Sequence, residues 1–322
     1  MKNTWLTKNK YLFFILLSLS IQQLQSRHLQ GDHFTENNNK SNLTDAAILA
    51  AIAYGAYHYY NKPILSPIPL ASSTNIKSII FDIDGVLSKT NKLRAFHEIG
   101  IPVTLSYMKN QMELPSEKIL FDTLANVPAN STYKSYNKGL EMPQTMIDWQ
   151  VGSQDLSLIR QSIMNHLKTV NLPTSQTNWA LQSSLMMTDP ERFISTRQII
   201  SENVKLLQEL KDKGYKLYIL SNWDPSSFPL FQRSFPEIFV TNDHKEMFDG
   251  IMISGNVKIV KPETAIFERC LEEFNLKAQD TIFIDDEPAN VIAAQKIGIT
   301  TILSDPHNTQ ALRTYLIAQL KS

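Results

Sequence analysis

From residue 77 onward the chain is punctuated by short apolar runs. They are Ile79-Ile80-Phe81, Leu217-Tyr218-Ile219-Leu220, Ile282-Phe283-Ile284 and Thr300-Thr301-Ile302-Leu303. Each is too short for a helix and lacks strict alternation, which is the pattern of a strand covered on both faces. The expected strands begin near Lys77, Tyr215, Thr281 and Thr300. Longer amphipathic segments separate the last three. A helix opens at Asp189-Pro190-Glu191, an N-cap followed by proline at the first helical position. Ile200, Val204, Leu207 and Leu210 keep a helical stripe up to Gly214, which suits the position just past a helix end. A second helix carries Ile266, Cys270 and Phe274, and a third stops at Gly298. Apolar strands alternating with amphipathic helices predict an α/β fold, a doubly wound and mainly parallel sheet.

The pattern changes between residues 91 and 189. Helical spacing returns from Glu117 to Val127 (Leu120, Leu124 and Val127 on one face) and from Gln154 to Leu167 (Leu156, Ile159, Ile163 and Leu167). Polar connectors at Asn126 to Thr132 and Asn171 to Asn178 separate these pieces, and no further strand ending in carboxylates is found. A mostly helical insertion is expected there, with residues 76–90 and 190–322 as the core.

Upstream, Lys2, Lys8 and Lys10 precede the apolar run Tyr11 to Ile21. A basic start before an eleven-residue apolar run has the pattern of an export signal over residues 1–26, or of an uncleaved anchor through residues 11–21. It falls short of the ~20 apolar residues of a membrane-spanning helix. An exported protein, periplasmic or secreted, is the expectation. Residues 27–75 read as a polar spacer, an Ala-rich helix from Asp45 to Tyr54, aromatic residues around His58, and a stiff linker containing Pro63, Pro67 and Pro69.

Composition narrows the function classes. In 322 residues, Lys+Arg and Asp+Glu are both 31, so no charge bias points to nucleic acid. Cys270 is the only cysteine, which excludes an intramolecular disulfide and a cysteine zinc site; its helical setting marks a buried small hydrophobe.

Burial explains Ile79 to Phe81 but not the residues that follow, Asp82-Ile83-Asp84-Gly85. Residues i and i+2 of an extended chain point the same way, so both carboxylates would converge at the strand's C-terminal edge, where open α/β sheets bind ligands. Two close carboxylates repel unless neutralised, which suggests a metal; a local turn is the other reading. Two more strands end in polar residues, Ser221-Asn222 and Asp285-Asp286, and Lys261-Pro262 precedes a helix. Each has a structural explanation of its own, as a loop, a helix cap or a solvated lysine.

In this order the four sets resemble the motifs of the haloacid dehalogenase-like (HAD) hydrolase superfamily, over roughly residues 76 to 305. The texture is similar to the branch of sugar-phosphate phosphatases and the N-terminal phosphatase domain of soluble epoxide hydrolases. Phe248-Asp249-Gly250-Ile251, Lys261-Pro262-Glu263 and Asp285-Asp286-Glu287-Pro288-Ala289-Asn290 carry that likeness. The resemblance implies a helical cap domain over residues 91–189. It further implies Asp82 as nucleophile, forming an aspartyl-phosphate, and Asp84 as general acid and then base. Mg²⁺ would be held by the Asp82 carboxylate, the Asp84 backbone carbonyl and Asp285 or Asp286. Ser221 with nearby backbone amides, among them the Asn222 region, would bind the phosphoryl group, and Lys261 would offset its charge. Asn290 would orient the acidic loop.

An acid at Asp84 implies phosphate-ester hydrolysis, because dehalogenases of the superfamily carry a non-acidic residue there. A small phosphorylated substrate such as a sugar phosphate is the implied partner. Arg94, His97 and Trp149 are candidates for contact with it from the cap. A dehalogenase or phosphonate-cleaving relative, and a non-enzymatic exported interaction protein on the same scaffold, are the alternatives.

Overall fold

The computed structural model describes residues 76–111, 115, 117–127, 136–137 and 140–321. The expected export signal or anchor, the spacer, the Ala-rich helix with His58 and the proline linker lie outside the described residues. Among the described residues no helix is long and apolar enough to cross a membrane. Leu105–Pro115 belongs to a second compact unit; the remainder of the described chain forms one unit.

Nine strands are present among the described residues: β1 (Ser78–Phe81), β2 (Ser88–Thr90), β3 (Tyr136–Asn137), β4 (Leu140–Glu141), β5 (Arg197–Ile199), β6 (Lys216–Ser221), β7 (Gly250–Ile253), β8 (Thr281–Asp285) and β9 (Thr300–Leu303). Five of them make one parallel sheet in the order β7-β6-β1-β8-β9. The apolar runs become strands because each side chain has a core to enter. Ile79 and Phe81 of β1, Leu217 and Ile219 of β6, and Ile282 and Ile284 of β8 face one layer with Leu207, Phe231 and Leu316. Ile80, Tyr218, Leu220 and Phe283 face the other, with Phe267, Cys270 and Ala294. Residues alternate between two buried layers, so the runs read as continuous apolar sequence. Helices Ser201–Asp212, Phe228–Ser234 and Thr309–Lys321 cover the first face; Thr264–Glu273 and Pro288–Lys296 cover the second.

The order of strands reverses direction at β1. It lies between β6 and β8, and the C-terminal ends of these three strands therefore border one crevice.

β2 and β5 form a separate antiparallel ribbon through which the chain enters and leaves the insertion. Within the insertion the helix Leu156–Thr169 is capped by Asp155, whose side chain accepts from Ser157 N at 2.7 Å. Ile159, Ile163 and Leu167 are buried, as expected.

Three local expectations fail. The connector assigned to Asn171–Asn178 ends at Pro173, and a helix runs over Thr174–Met187. Its Ser, Thr and Asn content gives low intrinsic propensity; burial of Trp179, Ala180, Ser183, Ser184 and Met186 overrides it. The segment opening at Pro190 is interrupted. Asp189 does cap a helix, Pro190–Ser195, but β5 follows before the next helix starts at Ser201. Finally, β7 was not expected as a strand. Its anchor is Asp249, which accepts hydrogen bonds from Lys211 Nζ (2.8 Å), Lys216 Nζ (2.9 Å) and Leu217 N (3.0 Å), tying the edge strand to β6.

Burial pushes the Asp249 carboxyl up, but these three donors more than offset it and hold the group below its ordinary value. A carboxyl with a lowered folded pKa stabilises above its unfolded pKa and loses that contribution as pH falls through the folded one. Asp249→Asn is expected to cost about 1–2 kcal/mol at pH 7, with the gap to wild type closing below ~pH 4 in urea titrations.

Burial pushes the Cys270 thiol up to about 12, with Glu273 adding to the effect. The native protein should therefore resist Ellman's reagent until denaturant is added; rapid labelling of the folded chain would contradict this packing.

Candidate active site

β1 ends at Phe81, and its last carbonyls and amides still belong to the sheet: Asp82 N donates to Ile284 O at 2.9 Å. The backbone then turns. Leu87 N and Ser88 N both donate to Ile83 O at 2.8 Å, and Gly85 N donates to Ser88 O at 2.7 Å. The chain bends at Ile83, so extended geometry is lost between Asp82 and Asp84.

The Asp82 side chain stays in the crevice. It is buried, with Lys261 Nζ 2.9 Å from its Oδ1, and the Ser221 side chain at the end of β6 favours its charged form. Lys261 is itself buried. Its Nζ donates to Asp285 Oδ2 at 2.6 Å and to Leu220 O at 3.1 Å, and lies 5.4 Å from the centre of the Phe283 ring. Asn222 fixes the lysine's backbone by accepting from Lys261 N (2.8 Å) and donating to Lys261 O (2.9 Å). In this structure Asn222 thus positions Lys261.

At the end of β8, Asp285 is fully enclosed. Its Oδ1 accepts from Glu287 N at 2.8 Å, and Asn290 Nδ2 reaches both carboxylate oxygens at 3.0 and 3.1 Å. Asn290 begins the first turns of the helix Pro288–Lys296, so the loop-to-helix transition holds the carboxylate still. Asp286 is only partly buried. Ligand atoms of Asp82, Asp285 and Asp286 lie within 4.8 Å of one another.

Gly85 makes this approach possible. Its φ is +76°, a conformation strained for other residues, and a Cβ there would stand 2.1 Å from Asp286 Cγ. The glycine of the D-x-D-G motif leaves the space that the Asp286 carboxyl occupies.

Burial pushes Asp82 up to about 6; Lys261 opposes the rise and Asp285 adds to it. Burial alone would lower the Lys261 pKa, but the carboxylates of Asp285 and Asp82 more than offset this and raise it. The lysine stays an ammonium. One ammonium faces three carboxylates, so the group is net negative, and its hard oxygen donors fit a small divalent cation such as Mg²⁺.

Asp84 lies just beyond the bend at Ile83. Its side chain is 55% exposed and pairs through Oδ1 with the guanidinium of Arg197, a residue of β5 that is only 2% exposed. Sequence reasoning did not single out Arg197. Its one signal is an arginine in a short polar stretch just before the Ile199-Ile200 pair, and nothing local marks it as buried.

Of the insertion candidates, Arg94 is exposed and donates to Arg197 O at 3.2 Å. His97 lies exposed in the last turn of the helix Lys92–Ile99. Trp149 is buried and meets Phe193 edge-on at 5.3 Å.

Residues 79–304 match the family described as haloacid dehalogenase-like hydrolase. The chain belongs to that family. Its fold, a parallel α/β sheet with acidic residues at the switch point, accords with the membership. Among known proteins it is similar to a sesquiterpene phosphatase of Aspergillus oryzae, 24% identical over 75% of this chain and 94% of that protein. Among solved structures it is similar to a predicted HAD-like family hydrolase from Porphyromonas gingivalis, with 22% identity, a TM-score of 0.47, and coverage of 75% of this chain and 98% of that one. It is also similar to a HAD family enzyme of Bacteroides thetaiotaomicron in complex with magnesium and inorganic phosphate, with 19% identity, a TM-score of 0.46, and coverage of 71% and 93%.

Gly85→Ala tests the approach of Asp286 to the crevice. It should lower stability by about 1–2 kcal/mol for the left-handed backbone alone, more with the collision, in a guanidinium titration. A neutral effect would mean that Asp286 does not occupy that space.

Proposed function

We propose that this hydrolase is a Mg²⁺-dependent phosphatase that cleaves a small phosphate monoester, such as a sugar phosphate, through an aspartyl-phosphate on Asp82. The observation that carries the reading is the buried Lys261 ammonium between Asp82 and Asp285, with Asp286 beside them. A buried nucleophilic carboxylate with its charge offset and its position held is what phosphoryl transfer asks of a protein. Membership of the hydrolase family and the similarity to a protein named as a sesquiterpene phosphatase support it.

The roles follow from placement. Asp82 is the nucleophile, at the end of the central strand of the sheet. Lys261 lowers the cost of bringing an anionic phosphoryl group to a carboxylate. Ser221, at the end of β6, would donate to the arriving group. Asp82 and Asp286, with the Asp84 carbonyl, would hold Mg²⁺, while Asp285 is occupied by Lys261, Asn290 and Glu287 N. When bound, the cation supplies charge neutralisation that one lysine cannot. Asp84 carries the proton for the leaving oxygen and then takes one from water; this acid favours ester hydrolysis over dehalogenation.

Residues 91–189 act as a cap in this reading. Lys258 Nζ donates to Val151 O at 2.7 Å and Ser254 Oγ to Gln150 O at 2.9 Å, which joins the end of the helix Gln144–Val151 to the segment just after β7. The cap would shield the reaction from bulk water and choose the substrate.

Phosphate release from p-nitrophenyl phosphate, sugar phosphates and prenyl phosphates tests the reaction. Wild type should turn over with Mg²⁺ and stop with EDTA, and Asp82→Asn should lose at least about 1,000-fold. Mg²⁺ should also raise the melting temperature of wild type more than that of an Asp82→Asn/Asp286→Asn double variant. Equal inactivity of wild type and Asp82→Asn across the panel would sink the hydrolysis reading.

A further inference from the structure

Arg197 is a buried cation away from the Lys261 group, and the roles assigned so far do not use it. It sits opposite Thr90 in the β2–β5 ribbon, and its Nη1 donates to Thr90 Oγ1 at 2.6 Å. Its guanidinium carbon stands 5.3 Å from the centre of the Phe193 ring and 5.8 Å from that of Trp223. Aromatic faces and a hydroxyl therefore hold the planar group in one orientation, with Nη2 directed at Asp84 Oδ1. The ribbon is coupled to the motif as well: Gly85 N donates to Ser88 O, and Asp84 bridges to Ser88. Asp84 is the mobile partner of the pair, being more than half exposed, and no protein donor reaches its Oδ2 among the described residues.

A long, flexible cation at the surface would add little to a carboxylate. A guanidinium that is already immobilised and desolvated is different. It fixes the direction of the carboxylate.

We infer that Arg197 is the positioning residue for Asp84: it fixes Oδ1 and leaves Oδ2 to accept the proton of the attacking water. The assignment rests on the proposed phosphatase reaction. In that reaction the first step, from a nitrophenyl ester to an Asp82 acyl phosphate, expels a leaving group that needs no proton. The second step breaks the acyl phosphate with water; one water proton goes to Asp84, and inorganic phosphate leaves Asp82 free. Arg197 therefore matters most in the second step. Buried as it is, it has no surface to offer a substrate, so its loss should appear in kcat.

Rapid-mixing kinetics with p-nitrophenyl phosphate and Mg²⁺ provide the test. Arg197→Met should keep a burst of about one nitrophenolate per protein and then turn over at least about 10-fold more slowly than wild type, with KM not raised. Arg197→Lys, which retains charge without the fork, should fall between them. Because a core arginine is at risk in folding, Thr90→Val serves as a second probe. It loosens the same guanidinium from a more exposed position, and it should slow the second step by a smaller factor at an unchanged melting temperature.

The decisive comparison is the double variant Asp84→Asn/Arg197→Met. If Arg197 acts through Asp84, the double variant is no slower than Asp84→Asn alone. Losses that multiply in an active protein, or loss of the burst together with turnover in Arg197→Met and Thr90→Val, overturn this assignment and leave the phosphatase reading standing. A wild type inert on every ester overturns that reading and this assignment with it.

Discussion

The buried ion group around Lys261 is the constraint on which the rest of the crevice depends. An ammonium taken out of water is costly unless carboxylates surround it, and removing one partner of such a group costs about 3–5 kcal/mol because the other charge is stranded. Asp82 and Asp285 come from neighbouring strands, and Lys261 reaches between them. That requirement explains the supporting bonds. Asn222 holds the lysine's backbone at both its N–H and its carbonyl, and Asn290 with Glu287 N holds Asp285. The polar strand ends are consequently one interlocked set.

The same geometry gives two carboxylates, two residues apart, opposite surroundings. Asp82 is desolvated and in contact with Lys261. Asp84 sits past a turn that needs Gly85, stays open to solvent and meets a fixed guanidinium. A turn of a few residues separates these two environments.

The insertion is tied to this turn. The ribbon that carries the chain out after β2 and back at β5 also carries Thr90 and Arg197, so the residues beside Asp84 are those at the root of the insertion. Ser254 and Lys258 attach the insertion's helix Gln144–Val151 to the segment just after β7.

Much of the scaffold was legible in the chain itself. Ile79-Ile80-Phe81, the run through Leu220, Ile282-Phe283-Ile284 and Thr300 to Leu303 are strands because continuous apolar runs of that length have few other stable places in a folded chain. The carboxylates, serine and asparagine that interrupt burial at their ends marked the crevice for the same reason, and Gly85, Gly214 and Gly298 marked turns of positive φ. Other features have no local signature. The helix Thr174–Met187 is made of poor helix formers that only packing rescues, and β2, β5 and β7 are three or four residues long. Arg197 reads as a surface residue until Thr90, 107 residues earlier, and Asp84, 113 residues earlier, are brought beside it. Periodicity along the chain records which side chains are to be buried. Which charges meet is decided by contacts between distant segments, and so the partner of Asp84 appeared only in the folded structure.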